Sequence, residues 1–377
     1  MRRTHRSGKH SREDDDSRAL LAKLESLYDA GHYAEATTLG HSMLSLPGSA
    51  AFRGRIRLDL ALTHLQLGKA DVARQPLAEA KALFEAVNDA KMIVECMAAE
   101  ARVACFEQRP DALELARTAL VACRCLREDP DGLELRILCS VASAQVLVGR
   151  KNEAISTFEE AIKRADPVVD MRLLGRLLGN AAIAYRDVGL LERALAYSHR
   201  AVTLFETLHD LVSLAREENN LGCYLIACGE LTSARSHLER SLQLCERTNL
   251  QRGRSMLLLS LCELCLAEGD FGRAMTHADA ALETGESQSE RWSVADARIW
   301  KGRIAMKLGD DVGADDEFQR ALAVLENSGM ADRLVDCHTE YAEILERRGD
   351  LPGAYVQLKA AFHIRARGGD GDSIPGD

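Results

Sequence analysis

The sequence predicts an all-α solenoid of antiparallel helix pairs, about nine repeats long. Three observations carry this. First, a Gly-x-x-x-x-Ala phrase recurs at Gly31/Ala36, Gly68/Ala73, Gly149/Ala154, Gly189/Ala194, Gly229/Ala234, Gly269/Ala274, Gly309/Ala314 and Gly349/Ala354. From Gly149 onward its interval is always 40 residues, and a fixed period of this size is the mark of stacked repeats. A degenerate copy, with Glu107 in the glycine place and Ala112 in the alanine place, completes the ninth. Second, apolar residues flank each phrase at three- and four-residue steps, as on an amphipathic helix. Third, only 7 of 377 residues are proline and aromatics make up 5%, a composition that favours helix throughout.

Taken in order, residues 1–17 are polar and lack apolar periodicity, so they are expected to be a solvated, disordered tail. The basic run Arg2, Arg3, Arg6, Lys9, Arg12 is answered by Glu13 to Asp16, and no apolar stretch follows to make an export signal. The solenoid is expected over 18–367. Repeat one spans Arg18 to about Leu46 and ends at the breakers Pro47 and Gly48. Repeat two spans Arg55 to Val87. Repeat three, Lys91 to Leu126, is irregular, with Pro110 expected to start its second helix, where a missing N–H is harmless. Repeats four to nine follow at even spacing. Residues 368–377, Gly- and Asp-rich, are expected to be disordered.

Within repeat five, the inward face of the first helix reads Leu173, Leu174, Leu177, Leu178, Ala181, Ala182 and Tyr185, and that of the second Ala194, Leu195, Ala201, Val202 and Leu204. Small residues seven before the turn glycine (Ala142, Ala182, Gly222, Gly302, Ala342) permit close helix approach. Second-helix alanines at Ala80, Ala161, Ala201, Ala281, Ala321 and Ala361 let neighbouring repeats nest.

These features are those of the tetratricopeptide repeat, most closely in Asn220-Leu221-Gly222 … Gly229-x-x-x-x-Ala234. The usual repeat is 34 residues closed by a proline. Here that proline is absent and the period is 40, which resembles the long-helix variant of kinesin light chains, Rap-type peptide receptors and the sensory arms of bacterial regulators. HEAT repeats share the length but leave the glycine–alanine spacing unexplained. The resemblance implies a right-handed superhelix whose concave groove, lined by first helices, grips a peptide or partner protein.

Register then selects candidate binding residues. Thirteen before the turn glycine stand Arg55, Arg136, Arg176 and Arg216; nine before it stand Ser140, Asn180 and Asn220, with Asn219 adjoining. Arg and Asn four apart share a helix face. The amide offers a donor and an acceptor to a peptide backbone, and the guanidinium takes a carboxylate bidentately. Further along, the same face carries Met256, Ser260, Trp300, Arg303 and Met306, then Asp336, Glu340, Glu343 and Glu346. The expected ligand is an extended segment, acidic over the arginines, apolar near Trp300 and basic toward the last repeat.

Several chemistries are set aside. The net charge of −10 argues against nucleic acid as the main partner. The eleven cysteines sit mostly at apolar helical positions, which reads as reduced thiols in a cytoplasmic protein. Cys262-x-x-Cys265 falls on inward positions, Cys123-x-Cys125 points to two helix faces, and His338-Thr-Glu340 lacks a metal-ligand companion. The acidic turn after Gly309 lacks the ligand spacing of a calcium loop. No phosphate-cradling loop or nucleophile–base motif is present. The most apolar run, Met256 to Ala267, is too short to span a bilayer. The expectation is therefore a non-catalytic, regulatory scaffold for a protein or peptide, without cofactor or metal and with self-association through an end repeat as a further partner mode. The alternative is a peptide-gated bacterial regulator acting on an effector in trans.

Overall fold

In the computed structural model, residues 7–369 are described, apart from 30, 68, 127–131, 169, 249, 251–252, 289 and 327–329. Among the described residues there are eighteen α-helices and no strand, and in chain order they follow the nine expected repeats. Repeat one is α1 (Ser7–Asp29) and α2 (Tyr33–Leu44); repeat two is α3 (Ala50–Gln66) and α4 (Ala70–Ala86); repeat three is α5 (Ala90–Phe106) and α6 (Ala112–Arg124). Repeat four is α7 (Leu133–Leu147) and α8 (Lys151–Arg164); repeat five is α9 (Met171–Asp187) and α10 (Leu191–Thr207); repeat six is α11 (Leu211–Ala227) and α12 (Leu231–Thr248). Repeats seven to nine are α13 (Arg254–Ala267) with α14 (Phe271–Ser287), α15 (Arg291–Leu308) with α16 (Asp311–Glu326), and α17 (Ala331–Arg347) with α18 (Leu351–Gly369). The chain divides into two compact bodies, Met1–Tyr224 and Leu225–Asp377.

The recurring alanine is the packing point of each repeat. Ala36, Ala73, Ala112, Ala154, Ala194, Ala234, Ala274 and Ala314 are all 0% exposed, and Ala354 of the last repeat is 6%. The nesting alanines Ala80, Ala161, Ala201, Ala281 and Ala321 are also fully buried. With no bulk beyond Cβ, each lets another helix approach to backbone distance. Large side chains then fill the spaces between the contact points: Phe84, Phe158, Phe205 and Phe318 are buried in repeats two, four, five and eight.

Each described turn glycine (Gly31, Gly149, Gly189, Gly229, Gly269, Gly309 and Gly349) lies in the left-handed region at the end of a first helix. Gly189 has φ +80°, and the helix closes with Gly189 N donating to Arg186 O at 2.9 Å and Leu190 N to Tyr185 O at 2.9 Å. These bonds satisfy carbonyls that the helix end leaves open. In repeats seven to nine the next residue caps the second helix: Asp270, Asp310 and Asp350 accept from the backbone N–H of Arg273, Gly313 and Gly353. This is the standard N-cap geometry.

The structure differs from the sequence reading at four places. Helix α1 begins at Ser7, so the expected disordered tail over 1–17 is helical from that residue; residues 1–6 lie outside the described residues. At the other end α18 runs to Gly369, and 370–377 lie outside them. In repeat three the left-handed residue is Gln108 (φ +53°), not Glu107, and α6 starts at Ala112, two residues after Pro110. In repeat five, Leu195 and Leu204 are only half-buried, while Phe205 and Ser198 take the inward positions.

Close approach sets a direct test. A Cβ at Gly302 would stand 2.7 Å from the Phe318 ring, and Phe318 is fully buried. Gly302→Ala is expected to destabilise by about 1–3 kcal/mol through overpacking. At Gly189 nothing lies within 4 Å of the added Cβ, so Gly189→Ala should cost only the backbone penalty of about 1–2 kcal/mol. Gly189→Asn should recover part of it. Urea-unfolding midpoints of the three variants check the order; equal losses for the two substitutions at Gly189 would refute the backbone explanation.

Candidate functional site

The register residues of the N-terminal body sit on one run of first helices, α3, α5, α7, α9 and α11, joined by side-chain contacts. The Cys105 thiol of α5 donates to Ser140 O of α7 at 3.7 Å. The Asn180 amide of α9 reaches Cys139 Sγ at 3.6 Å and Ser143 Oγ at 3.4 Å on α7. The arginines are treated unequally along this face. Arg55 is held by Asp59 (Nε–Oδ1 3.1 Å) and Glu25 (2.7 Å). Arg136 lies 3.5 Å from Glu95. That pair exists because the turn of repeat three falls at Gln108: counted from it, Glu95 takes the same register place as Arg136. Arg176 is half-buried and Arg216 exposed, and neither makes a salt bridge among the described residues.

The polar register positions divide in the same way. Ser140 is buried, its hydroxyl donating to Arg136 O at 3.3 Å. Asn180 is half-buried, with its amide spent on the neighbouring helix. Asn219 is buried, and its side-chain oxygen has no hydrogen-bond partner among the described residues. Asn220 donates to Glu217 Oε1 at 3.3 Å.

Glu217 was not selected by sequence register. It is buried between α9 and α10, 3.4 Å from Ser198 Oγ. A Cβ at Gly179 would come within 2.3 Å of its carboxylate, so the glycine on α9 makes room for it. Burial pushes its pKa up to about 7, against the lowering effects of Arg216, Ser198 and Asn220. Asp59 is likewise pushed to about 7 by burial, although Arg55 is beside it.

A second feature hidden from sequence is the position of the first repeat. Tyr28 accepts from Gln66 Nε2 at 2.9 Å. Three residues later, a Cβ at Gly31 would lie 3.7 Å from Asp210 Oδ1. Asp210 is buried, ion-paired with Arg172 and held by Ser213 N at 3.1 Å and Ser213 Oγ at 2.9 Å. The turn of repeat one therefore lies against the start of repeat six. No local periodicity encodes a contact across that many residues.

In the C-terminal body Trp300 is half-buried over the cores of repeats seven and eight. The Arg303 guanidinium lies 4.2 Å above its ring, a cation–π arrangement. Arg303 is in turn gripped bidentately by Glu340, with Nη2–Oε2 at 2.6 Å. Arg303 therefore lies between the Trp300 ring and a neutralising carboxylate. Glu343 is exposed and lies 3.6 Å from Arg347. Met256 is exposed, whereas Ser260 is buried and donates to Met256 O at 3.1 Å.

Cys262 and Cys265 are buried with Ala274, Ala278 and Ile304. Burial pushes Cys96, Cys105, Cys262 and Cys337 up to about 12, which keeps these thiols protonated. Among the described residues no group of three or more His, Cys, Asp or Glu could hold a metal ion. No described helix is long and apolar enough to cross a membrane.

Comparison with known proteins agrees with this architecture. A family model described as tetratricopeptide repeat matches residues 219–249, and no curated protein matches in sequence. Among solved structures, a Rap protein complexed with Competence and Sporulation Factor is similar at 14% identity and TM-score 0.69, over 94% of this chain and 98% of that one. The apo form of the quorum sensor NprR from B. thuringiensis gives 15% identity and TM-score 0.60, over 93% and 99%. Aspartyl phosphate phosphatase F from Bacillus subtilis gives 10% and 0.59, over 92% and 93%. At these identities the likeness is one of fold.

The buried Glu217 sets a pH dependence with a definite sign. Its folded pKa of about 7 lies above its ordinary value of 4.5, so the folded chain binds the extra proton between these values. Stability from this group is then greatest at the acid end and falls as pH rises from about 4.5 to about 7. Glu217→Gln is expected to remove that part of the slope and to be at least as stable as wild type at pH 8. Denaturant titrations of both proteins at pH 5 and pH 8 measure it; an unchanged slope in the variant would refute the assignment.

Proposed function

The chain is a tetratricopeptide-type repeat protein, and from that premise we propose that it is a non-catalytic regulatory scaffold that binds an extended peptide or protein segment along the first-helix face of its N-terminal body. The observation that carries this is the run of polar and cationic side chains on successive first helices that the fold does not use up. Arg176 and Arg216 make no ion pair among the described residues, and the Asn219 oxygen is unpartnered. Cations on one helical face suit an acidic side chain or terminus, and amides suit a peptide backbone. The protonated, buried thiols support a non-nucleophilic role, and the location proposed is cytoplasmic. Affinity capture from a native lysate with mass spectrometry, comparing wild type with an Arg176→Glu/Arg216→Glu bait, tests it. The expected result is a partner depleted about ten-fold or more by the variant, the equivalent of about 1.4 kcal/mol. A partner held equally by both would move the site off this face.

A second reading, a peptide-gated regulator acting on an effector in trans, is favoured by the likeness to a Rap protein complexed with Competence and Sporulation Factor and to the quorum sensor NprR. It differs from a static scaffold in its response: a ligand shifts a conformational equilibrium only by its differential affinity for the two states. Small-angle scattering with and without candidate short peptides separates the two. A change in radius of gyration on saturation supports gating, and an invariant radius with binding supports the static scaffold.

A further inference from the structure

The second helix of a repeat carries a face that the next first helix covers, and in α18 that face is open. In repeat eight the cover is direct: Phe318 of α16 stacks on Tyr341 of α17, with ring centroids 5.1 Å apart. Phe318 stands four residues after the phrase alanine. That position is buried in all eight earlier repeats, from Gly40 and Leu77 to Phe318 itself. The position eight after the alanine is nowhere exposed in them. In α18 the same two positions hold Leu358 and Phe362, which are 50% and 68% exposed. Leu351 and Tyr355 are exposed as well, and the four follow at intervals of four, three and four residues. On a helix this spacing sets them in one narrow stripe. A last repeat that had only to meet water would carry polar residues there. This one carries two leucines and two aromatics.

We propose that this stripe is a homodimer interface, on which α18 of a second copy lies antiparallel about a two-fold axis. Spacing, charge and area select that occupant. Alternating intervals of three and four residues are those of a seam between two paired helices. Antiparallel pairing about the middle of the stripe sets Leu351 against Phe362 and Tyr355 against Leu358, so each aromatic meets a leucine. From Leu351 to Gly369 there is no Asp or Glu, and Lys359 and Arg365 are exposed. A parallel pair would set Arg365 against itself. The antiparallel pair carries it toward the exposed Asp350 at the start of α18 in the second copy. Each stripe exposes on the order of 500 Å², since an aromatic side chain alone carries about 150–250 Å². Two copies together bury about 1,000 Å², the lower limit of a specific interface. Residues 370–377 hold a single large apolar side chain, Ile374, which is too little to cover four. The contact is isologous and closes at two chains. It lies on a helix outside the ligand face proposed above, and it gives a place to the self-association expected of an end repeat.

Sedimentation velocity of the full chain, from about 1 to about 200 µM, tests this in the micromolar range that an interface of this size supports. Wild type is expected to pass from one chain to two across that range. Leu358→Glu/Phe362→Glu should weaken the dimer by about ten-fold or more, because a carboxylate would enter the seam at each position. Both replaced side chains are exposed, so the far-UV circular dichroism of the variant should match wild type. Arg365→Glu should weaken the dimer by roughly two- to five-fold, and by less at high salt. In a parallel pair that substitution would only exchange one self-repulsion for another, so an undiminished dimer overturns the antiparallel arrangement. Val121→Glu, at an exposed apolar residue of α6, should leave the dimer intact. A wild type that stays monomeric throughout, or a dimer indifferent to the double substitution, overturns the interface. So does assembly beyond two chains, which would put a different surface of the second copy on the stripe.

Discussion

The close approach at the repeated alanine is what the rest of this structure depends on. Eight of the nine phrase alanines have no exposed surface, so a larger side chain there would have to displace a helix rather than fill a gap. Fixing that contact fixes the angle between the two helices of a repeat, and the nesting alanines of the second helices fix the next repeat against it. The turn glycine is subordinate: with nothing near its missing side chain at Gly149, Gly189 or Gly229, it supplies only the left-handed backbone that allows the short connection. Because the same geometry recurs within each body, its first helices present corresponding register positions to one side.

The local part of this was legible in the sequence. The period located every helix pair, and the small residues at Ala142, Ala182, Gly222, Gly302 and Ala342 are buried as expected. What was not legible divides by physical cause. The turn of repeat three is carried by Gln108, a residue that marks no left-handed turn by its chemistry, so counting from Glu107 put the register one residue out. That slip hid Glu95 from the column that contains Arg136. Phe205 replaced Leu204 in the core because both lie on the apolar side of α10 and only the volume to be filled separates them. The contact of the first repeat's turn with Asp210 and the burial of Glu217 against Gly179 join segments far apart in sequence. A periodic pattern carries no information about such pairs.

The face that emerges is set by how its charges are matched. Arg55, Arg136, Arg172 and Arg303 each face a carboxylate, and such pairs contribute little net stability once desolvation is counted. Their main effect is to make these cations unavailable to a ligand. A register column that reads uniformly basic in sequence is therefore not uniformly basic in space. Where matching fails, the energetic consequence is larger: two unit charges at contact range repel by about 4 kcal/mol at an effective dielectric of about 20. Glu217 is a buried charge of another kind, with no salt bridge to a cation among the described residues. Its burial is met by holding a proton, with Ser198 and Asn220 at its oxygens, so it can remain inside the helix stack.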